Sequence, residues 1–404
     1  MSTTEKVIKS AAAVLCAVLL AALAAVGYYR IVTPDRFWVR GGQTLEIPSR
    51  FSITAKPAQP AAVQADAARQ SAAGHSTLML FGIIPIKEVE TRTAQAAMLV
   101  PGGQPFGIKL ITDGVMVIRT EEIDGVSPAE ACGITVGDVI VSVNGERITS
   151  GENLSAVIRD SMGKTMEVDL NRGGEAVEVK LTPALRMGAY RAGIWVRDST
   201  AGVGTVTFYD PASGIFGGLG HPVCDADTGE LIPIRSGAVS DVDIVSFSKS
   251  ANGAPGELVG NFTSPRSVGS ILRNTNCGVF GFLNRTPSES QPVEMALRQE
   301  IQTGDATMLT TIDGHTPHAY AIRIESINLS GSDSKNMVIR VTDKALLAQT
   351  GGILQGMSGS PILQNGRLIG AVTHVFVKDP TMGYAVFADA MYDQTQELAL
   401  EQAG

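Results

Sequence analysis

The longest run of apolar positions lies at the start of the chain. After Lys6 and Lys9, the stretch SAAAVLCAVLLAALAAVGYY from Ser10 to Tyr29 carries no charge. About twenty helical residues at ~1.5 Å each cross a ~30 Å hydrocarbon core, so the segment reads as a membrane anchor or a signal peptide. The two lysines keep the first residues cytoplasmic and send the rest outside. The run exceeds the usual length of a signal core, which favours the anchor, while Ala22-Leu23-Ala24 offers a small-x-small cleavage site. From Ile31 to about Thr54 the pattern gives short extended pieces. Ala55 to Gly74, rich in Ala, Gln and Pro, has no apolar period and reads as a flexible spacer or, over Ala61 to Ala73, an exposed helix. Strand-like alternation resumes at LMLFGIIPIKEVE.

Residues 93–186 form the next unit. GGQPFGIKL is a glycine-rich loop entering a strand. SPAEACG predicts a short helix with Ser127 as cap, Pro128 in its first turn, Glu130 as reciprocal partner and Gly133 as stop. GDVIVSVNGERI predicts a hairpin turning at Asn144-Gly145. NLSAVIRDS places Leu154, Val157 and Ile158 on one helix face, and two alternating strands close around Gly173-Gly174. From 187 to 404 short strands alternate with Gly, Asn, Asp and Pro turns, enough for a two-barrel or sandwich architecture.

A chain of 404 residues calls for two or three domains, and its 44 glycines favour turns and short strands. The net charge of −8, with no basic cluster, argues against nucleic-acid binding. Of four cysteines, only Cys224 and Cys277 fall together in one domain as a plausible pair, and spacing alone fixes no bond.

The chemistry centres on GMSGSP, residues 356–361. A serine between two glycines is a turn in any protein, but such a bend also exposes the hydroxyl and aims amide hydrogens at one point. A nucleophilic serine needs a base. Of five histidines, His315 and His318 sit in GHTPH without the acidic or cysteine partners of a metal site, and read as a surface loop. His221, in the glycine-rich corner GGLGHPVCDADTGE, precedes Ser358 in the chain; His374, in GAVTHVFV, follows it on the next strand and is placed in the substrate cleft. Asp343 is either an orienting acid or the N-cap of a helix from Lys344. Asp225, Asp227, Asp241 and Asp243 are rival orienters.

The order of elements over 93–186 resembles a PDZ domain. By that resemblance, Pro105, Phe106, Gly107 and Ile108 would be the loop that receives a peptide carboxylate before a strand edge. A single membrane segment, this unit, and the blocks GHPVCDADTGELIPIRSGAV, NTNCGVFG, VTDKALLAQTGGILQGMSGSPI and GAVTHVFVKDPTMGYAVF together resemble the stage IV sporulation protein B peptidases of endospore-forming bacteria. The resemblance implies a mainly β chain with an anchor (1–30), an extracytoplasmic N-terminal region (31–92), a PDZ domain (93–186) and a trypsin-like double β-barrel serine peptidase domain (187–404). It implies catalysis by His221, Asp343 and Ser358. The serine turn itself offers the backbone amides of Gly356 and Ser358 as oxyanion hole, and the expected chemistry calls for no metal or organic cofactor. Its partners would be protein substrates including the chain itself, a membrane-bound sporulation regulator in the forespore intermembrane space, and a PDZ-bound peptide terminus or strand. An HtrA-type quality-control protease and a non-catalytic PDZ scaffold are the competing readings.

Overall fold

The N-terminal apolar run is one helix, α1 (Thr3–Val32), and 24 of its residues, Lys9–Val32, are apolar enough to cross a bilayer or to serve as a signal sequence. The computed structural model describes residues 3–41, 45–47, 51–57, 73–94, 97–284, 291–330 and 334–403. Most of the expected spacer, Ala55 to Gly74, lies outside these. On either side of it, β1 (Arg36–Arg40), β2 (Glu46–Ile47), β3 (Ile53–Pro57), β4 (Ala73–Leu80) and β5 (Ile84–Ala94) form one sheet in the order β1-β5-β4-β3-β2. Alternate residues of β4, Leu78 and Leu80, pack with Phe37, Ile86 and Tyr29 of α1, so the sheet is seated on the end of the apolar helix.

β6 (Met98–Pro101) leads into the sixteen-residue strand β7 (Pro105–Thr120). Then come α2 (Pro128–Ala131), β8 (Val139–Val143), β9 (Glu146–Arg147), α3 (Gly151–Asp160), β10 (Met166–Arg172), β11 (Glu175–Leu181), β12 (Ala184–Arg186) and β13 (Ala189–Arg191), before β14 (Ile194–Tyr209) returns along β7. The local signals act as predicted: Ser127 Oγ accepts from the Glu130 amide at 3.3 Å, and Asn144 and Gly145 take left-handed φ of 51° and 76° at the hairpin. The Glu130 carboxylate, however, takes the Thr120 hydroxyl instead of closing a capping box. Val115, Val117, Ile140, Leu154, Ile158 and Val168 form this unit's own core.

The first half of β7 belongs elsewhere. With β15 (Ile215–Gly218), β16 (Ile234–Phe247), β17 (Leu258–Thr275) and β18 (Gly278–Leu283) it closes a six-stranded barrel, β7-β16-β17-β18-β15-β14 and back to β7. Gly114 marks the passage of β7 out of the barrel: its φ is +102°, and a Cβ there would lie 2.4 Å from the Ile140 carbonyl oxygen. The PDZ-like unit is therefore inserted between strands of the first barrel, carried on the β7/β14 ribbon, rather than preceding a separate protease domain.

After β19 (Val293–Glu294), a second closed barrel runs β20-β21-β22-β25-β24-β23, from β20 (Gly304–Thr310), β21 (His318–Ile327), β22 (Met337–Val341), β23 (Pro361–Gln364), β24 (Arg367–Val375) and β25 (Met382–Phe387). The helix α4 (Lys344–Thr350) precedes β23, and α5 (Ala388–Ala403) follows β25. The chain is thus mainly β, with two six-stranded barrels as expected for a trypsin-like fold. The N-terminal sheet reaches this body through Trp38, whose Nε1–H donates to Asp393 at 3.2 Å, and Arg40, which holds Glu300 at 2.8 Å.

Candidate active site

Ser358 lies in the loop between α4 and β23, held by both barrels. Its carbonyl accepts from the Thr205 amide at 2.9 Å, while Thr205 Oγ1 and Thr207 Oγ1 donate to the carbonyls of Gly356 (2.9 Å) and Gly359 (2.8 Å). From the other side the Gly359 amide donates to Val372 (2.7 Å), and Ser360 Oγ meets Thr310 Oγ1 at 2.9 Å. Met357 is fully buried beneath the turn. Gly359 has no alternative here: its φ is +95°, and a Cβ would sit 2.0 Å from the Thr205 carbonyl oxygen. Among the described residues, no acceptor takes the amide hydrogens of Gly356 or Ser358, so both remain able to donate to a developing oxyanion.

His221 follows β15 across a corner in which Leu219 and Gly220 have φ of 66° and 70°. Its Nδ1 is 2.8 Å from the Pro222 carbonyl oxygen. A carbonyl only accepts, so Nδ1 carries the proton and the neutral ring keeps Nε2 as the acceptor. Burial pushes the His221 pKa below its ordinary value, partly offset by that hydrogen bond. His374 stacks on it, ring centroids 4.7 Å apart at 35°. Its buried Nδ1 finds no partner among the described residues. Burial, then the charges of His221 and Lys335, push the His374 pKa down to about 4. His221, Ser358 and His374 line one cleft of about 470 Å³, whose walls include Ile108, Val203, Leu219, Ile353 and Leu354. The Ser358 hydroxyl donates to the Thr373 carbonyl at 2.7 Å and must rotate to reach a base.

Asp343 is placed elsewhere. Its Oδ1 accepts from the amides of Ala345 (3.0 Å) and Leu346 (2.9 Å) as N-cap of α4, and no hydrogen bond or ion pair joins it to His221. Of the rival acids, Asp225 is buried and turned to Arg197, and Asp243 lies 3.6 Å from His315. Cys224 and Cys277 are free thiols; Cys224 lines the cleft rim, and burial pushes the Cys277 thiol up to about 11.

Pro105, Phe106, Gly107 and Ile108 are not a carboxylate loop. Phe106 pairs with Gly204 of β14 on one side and Asp241 of β16 on the other, so neither edge is open. Its ring packs edge-on to Phe216 in the barrel core, at 5.7 Å, and Ile108 lines the cleft. Of the two unpaired edges of this unit's sheet, β11 and the start of β14, the one beside α3 is β14: over Ile194–Ser199 it bonds only to β7 among the described strands. Asp198 there accepts from the Gly151 amide at 3.0 Å, at the start of α3. The sequence signal missed was the AGIWV stretch that opens β14, a glycine turn at Gly193 entering an alternating strand.

Residues 122–172 match the PDZ domain family. Curated relatives include the putative zinc metalloprotease LL2128 of Lactococcus lactis, 30% identical over 24% of this chain and 21% of that protein. Serine protease HTRA1 of Xenopus tropicalis is 32% identical over 18% of this chain and 15% of its own. The chain spans about a fifth or less of the length of these relatives. Among solved structures, the active form of the Rv3671c protease from M. tuberculosis is 18% identical, covering 49% of this chain and 74% of that one with a TM-score of 0.29. The SpoIVB peptidase S55 family model matches residues 188–392, just over half of the 404, through the loops that carry His221, Asp343 and Ser358, and the chain belongs to that family.

Proposed function

We propose that this protein is a serine endopeptidase whose catalytic body lies outside the cytoplasm. The observation that carries the reading is the meeting of Ser358, the Nε2 face of a neutral His221 and two undirected amides, Gly356 and Ser358, in one apolar cleft. His221 Nε2 takes the Ser358 proton as Oγ bonds to the substrate carbonyl carbon. The amides then hold the oxyanion, each worth ~10²–10³ in rate. As the C–N bond breaks, the imidazolium returns the proton to the leaving amine, and water repeats the sequence on the ester. His374 floors the cleft. Asp343 acts on this chemistry through α4 and the Gly351–Gly356 loop that α4 anchors, and its proposed place as triad acid requires a movement of that cap.

Family membership supports a finer reading. The peptidase cuts itself and then a membrane-bound regulator of an intramembrane protease in the forespore intermembrane space, releasing a late sporulation sigma factor. The PDZ domain would take a C-terminus or internal strand at Ile194–Ser199 and govern access. The test is to follow the full chain and its Ser358→Ala variant in detergent by intact mass. Cleavage at a few sites in the wild type alone is expected. If both stay whole and a fluorophosphonate leaves Ser358 unlabelled, the scaffold reading replaces this one. Indiscriminate cutting of unfolded protein would favour the quality-control reading.

A further inference from the structure

Arg197 occupies an unusual position. It sits on β14 opposite Met116, within the part of the strand that carries the open PDZ edge. Asp198 beside it ties down the start of α3. The Arg197 guanidinium donates through Nη1 to Asp225 and through Nη2 to Asp227 at 2.6 Å. The Asp225 side chain is 0% exposed, and a buried carboxylate with one cationic partner depends on that partner.

Asp225 organises the segment that begins at His221. Its Oδ1 accepts from the amides of Asp227 and Thr228, both at 3.0 Å, and its backbone pairs with Glu230 and Gly229, both at 2.9 Å. Just before it, Val223 is fixed from both sides by the Asn274 amide, each bond 2.8 Å. His221, Val223 and Cys224 form one wall of the cleft, so the hairpin gripped by Arg197 is the stem of the wall that presents the histidine.

We propose that Arg197 is a positioning residue through which the PDZ domain holds His221 in place. Its strand is shared by the peptide edge and the barrel, so whatever adds to Ile194–Ser199 acts on the residue that clamps the His221 loop. This deepens the serine-peptidase reading, yet its structural half stands without it.

The test uses full-length protein in detergent, as Arg197→Lys, Arg197→Ala and the pair Arg197→Gln with Asp225→Asn, which leaves no orphaned buried charge. Arg119→Ala, at a side chain stacked over Trp195 at 4.4 Å, is the control. Hydrogen exchange read by mass spectrometry, in a Ser358→Ala background that needs no activity, is expected to rise about tenfold or more over residues 225–230 in Arg197→Ala and the pair. Arg197→Lys should recover part of the protection, and Arg119→Ala should match wild type. With Ser358 present, fluorophosphonate labelling should fall on the order of 10²-fold, with a displaced acid limb in its pH profile. Unchanged exchange in the pair overturns the proposal, as does faster exchange with unchanged labelling. Wild type that is never labelled, with exchange rising as expected, would remove the peptidase reading and leave the clamp.

Discussion

Thr205 and Ser358 are joined across the two barrels: the Thr205 amide donates to the Ser358 carbonyl at 2.9 Å, and the Thr205 carbonyl accepts from Leu219 at 3.2 Å, two residues before His221. One residue of β14 therefore sets both the nucleophile loop and the histidine corner. Gly359 is what lets this strand approach, since a Cβ there would meet the Thr205 oxygen at 2.0 Å. Gly359→Ala adds a left-handed conformation for a residue with a Cβ, about 1–2 kcal/mol, to that overlap. Thermal unfolding should fall by roughly 5–15 °C, and Ser358 labelling by on the order of 10²-fold. A variant that melts and labels like wild type would show that the barrels are not joined at this point.

The histidine pair sets a pH dependence. Burial lowers the His221 pKa, so the neutral base persists below the ordinary histidine range. The acid limb of Ser358 labelling should have its midpoint below about pH 6.5; a midpoint at or above that value contradicts the buried-base geometry. His374 adds a stability effect. With its folded pKa at about 4 and an unfolded value near ~6.5, the unfolded chain binds more protons between these limits. Stability is therefore complete above this window and is lost as pH falls through it. His374→Phe should flatten the slope, by about 2 kcal/mol after allowance for the ring's partial exposure, as read from melting curves between pH 7 and pH 4.

The helix caps, the Asn144-Gly145 hairpin, the apolar N-terminal helix and the serine turn were legible because each is fixed by residues close in sequence. The path of β7 was not. Residues 105–120 are one continuous strand, and the shift of buried positions from Phe106, Ile108 and Leu110 to Val115 and Val117 across Thr112-Asp113-Gly114 does not by itself say that the strand leaves a barrel there and enters a PDZ fold. Its partners lie as far away as Gly204 and Asp241. The same non-local pairing closes both edges at Pro105–Ile108 and leaves one side of the start of β14 unpaired among the described strands, and it joins the extended pieces after the apolar helix to the alternating stretch LMLFGIIPIKEVE in one five-stranded sheet. At Asp343, two readings shared one residue, and only the fold shows the carboxylate turned to α4.

That carboxylate gives a discriminating pair of variants. A cap needs an acceptor, which Asn supplies, so Asp343→Asn should stay within about tenfold of wild-type labelling. Asp343→Ala should lose about 1 kcal/mol of stability. An acid that orients His221 behaves otherwise, since the amide favours the wrong tautomer and costs ~10⁴ in rate. Labelling rates and melting temperatures of the two variants decide, and a collapse of labelling in Asp343→Asn without loss of stability would restore Asp343 to the triad.

Asp393 joins the N-terminal sheet to α5 by accepting from Trp38 Nε1–H at 3.2 Å. Burial, reinforced by the neighbouring Asp389 charge, pushes its pKa up to about 7, against an unfolded carboxyl near ~3.9. Between those values the folded chain holds the extra proton, so stability falls as pH rises through the window and is lowest above it. Asp393→Asn keeps an oxygen for Trp38 and removes the charge. It should raise stability by about 2 kcal/mol at pH 8, with the gain shrinking towards pH 5. If the gain is instead the same at both values, the carboxyl does not titrate in this window, and the contact between the N-terminal sheet and the peptidase body would be independent of pH.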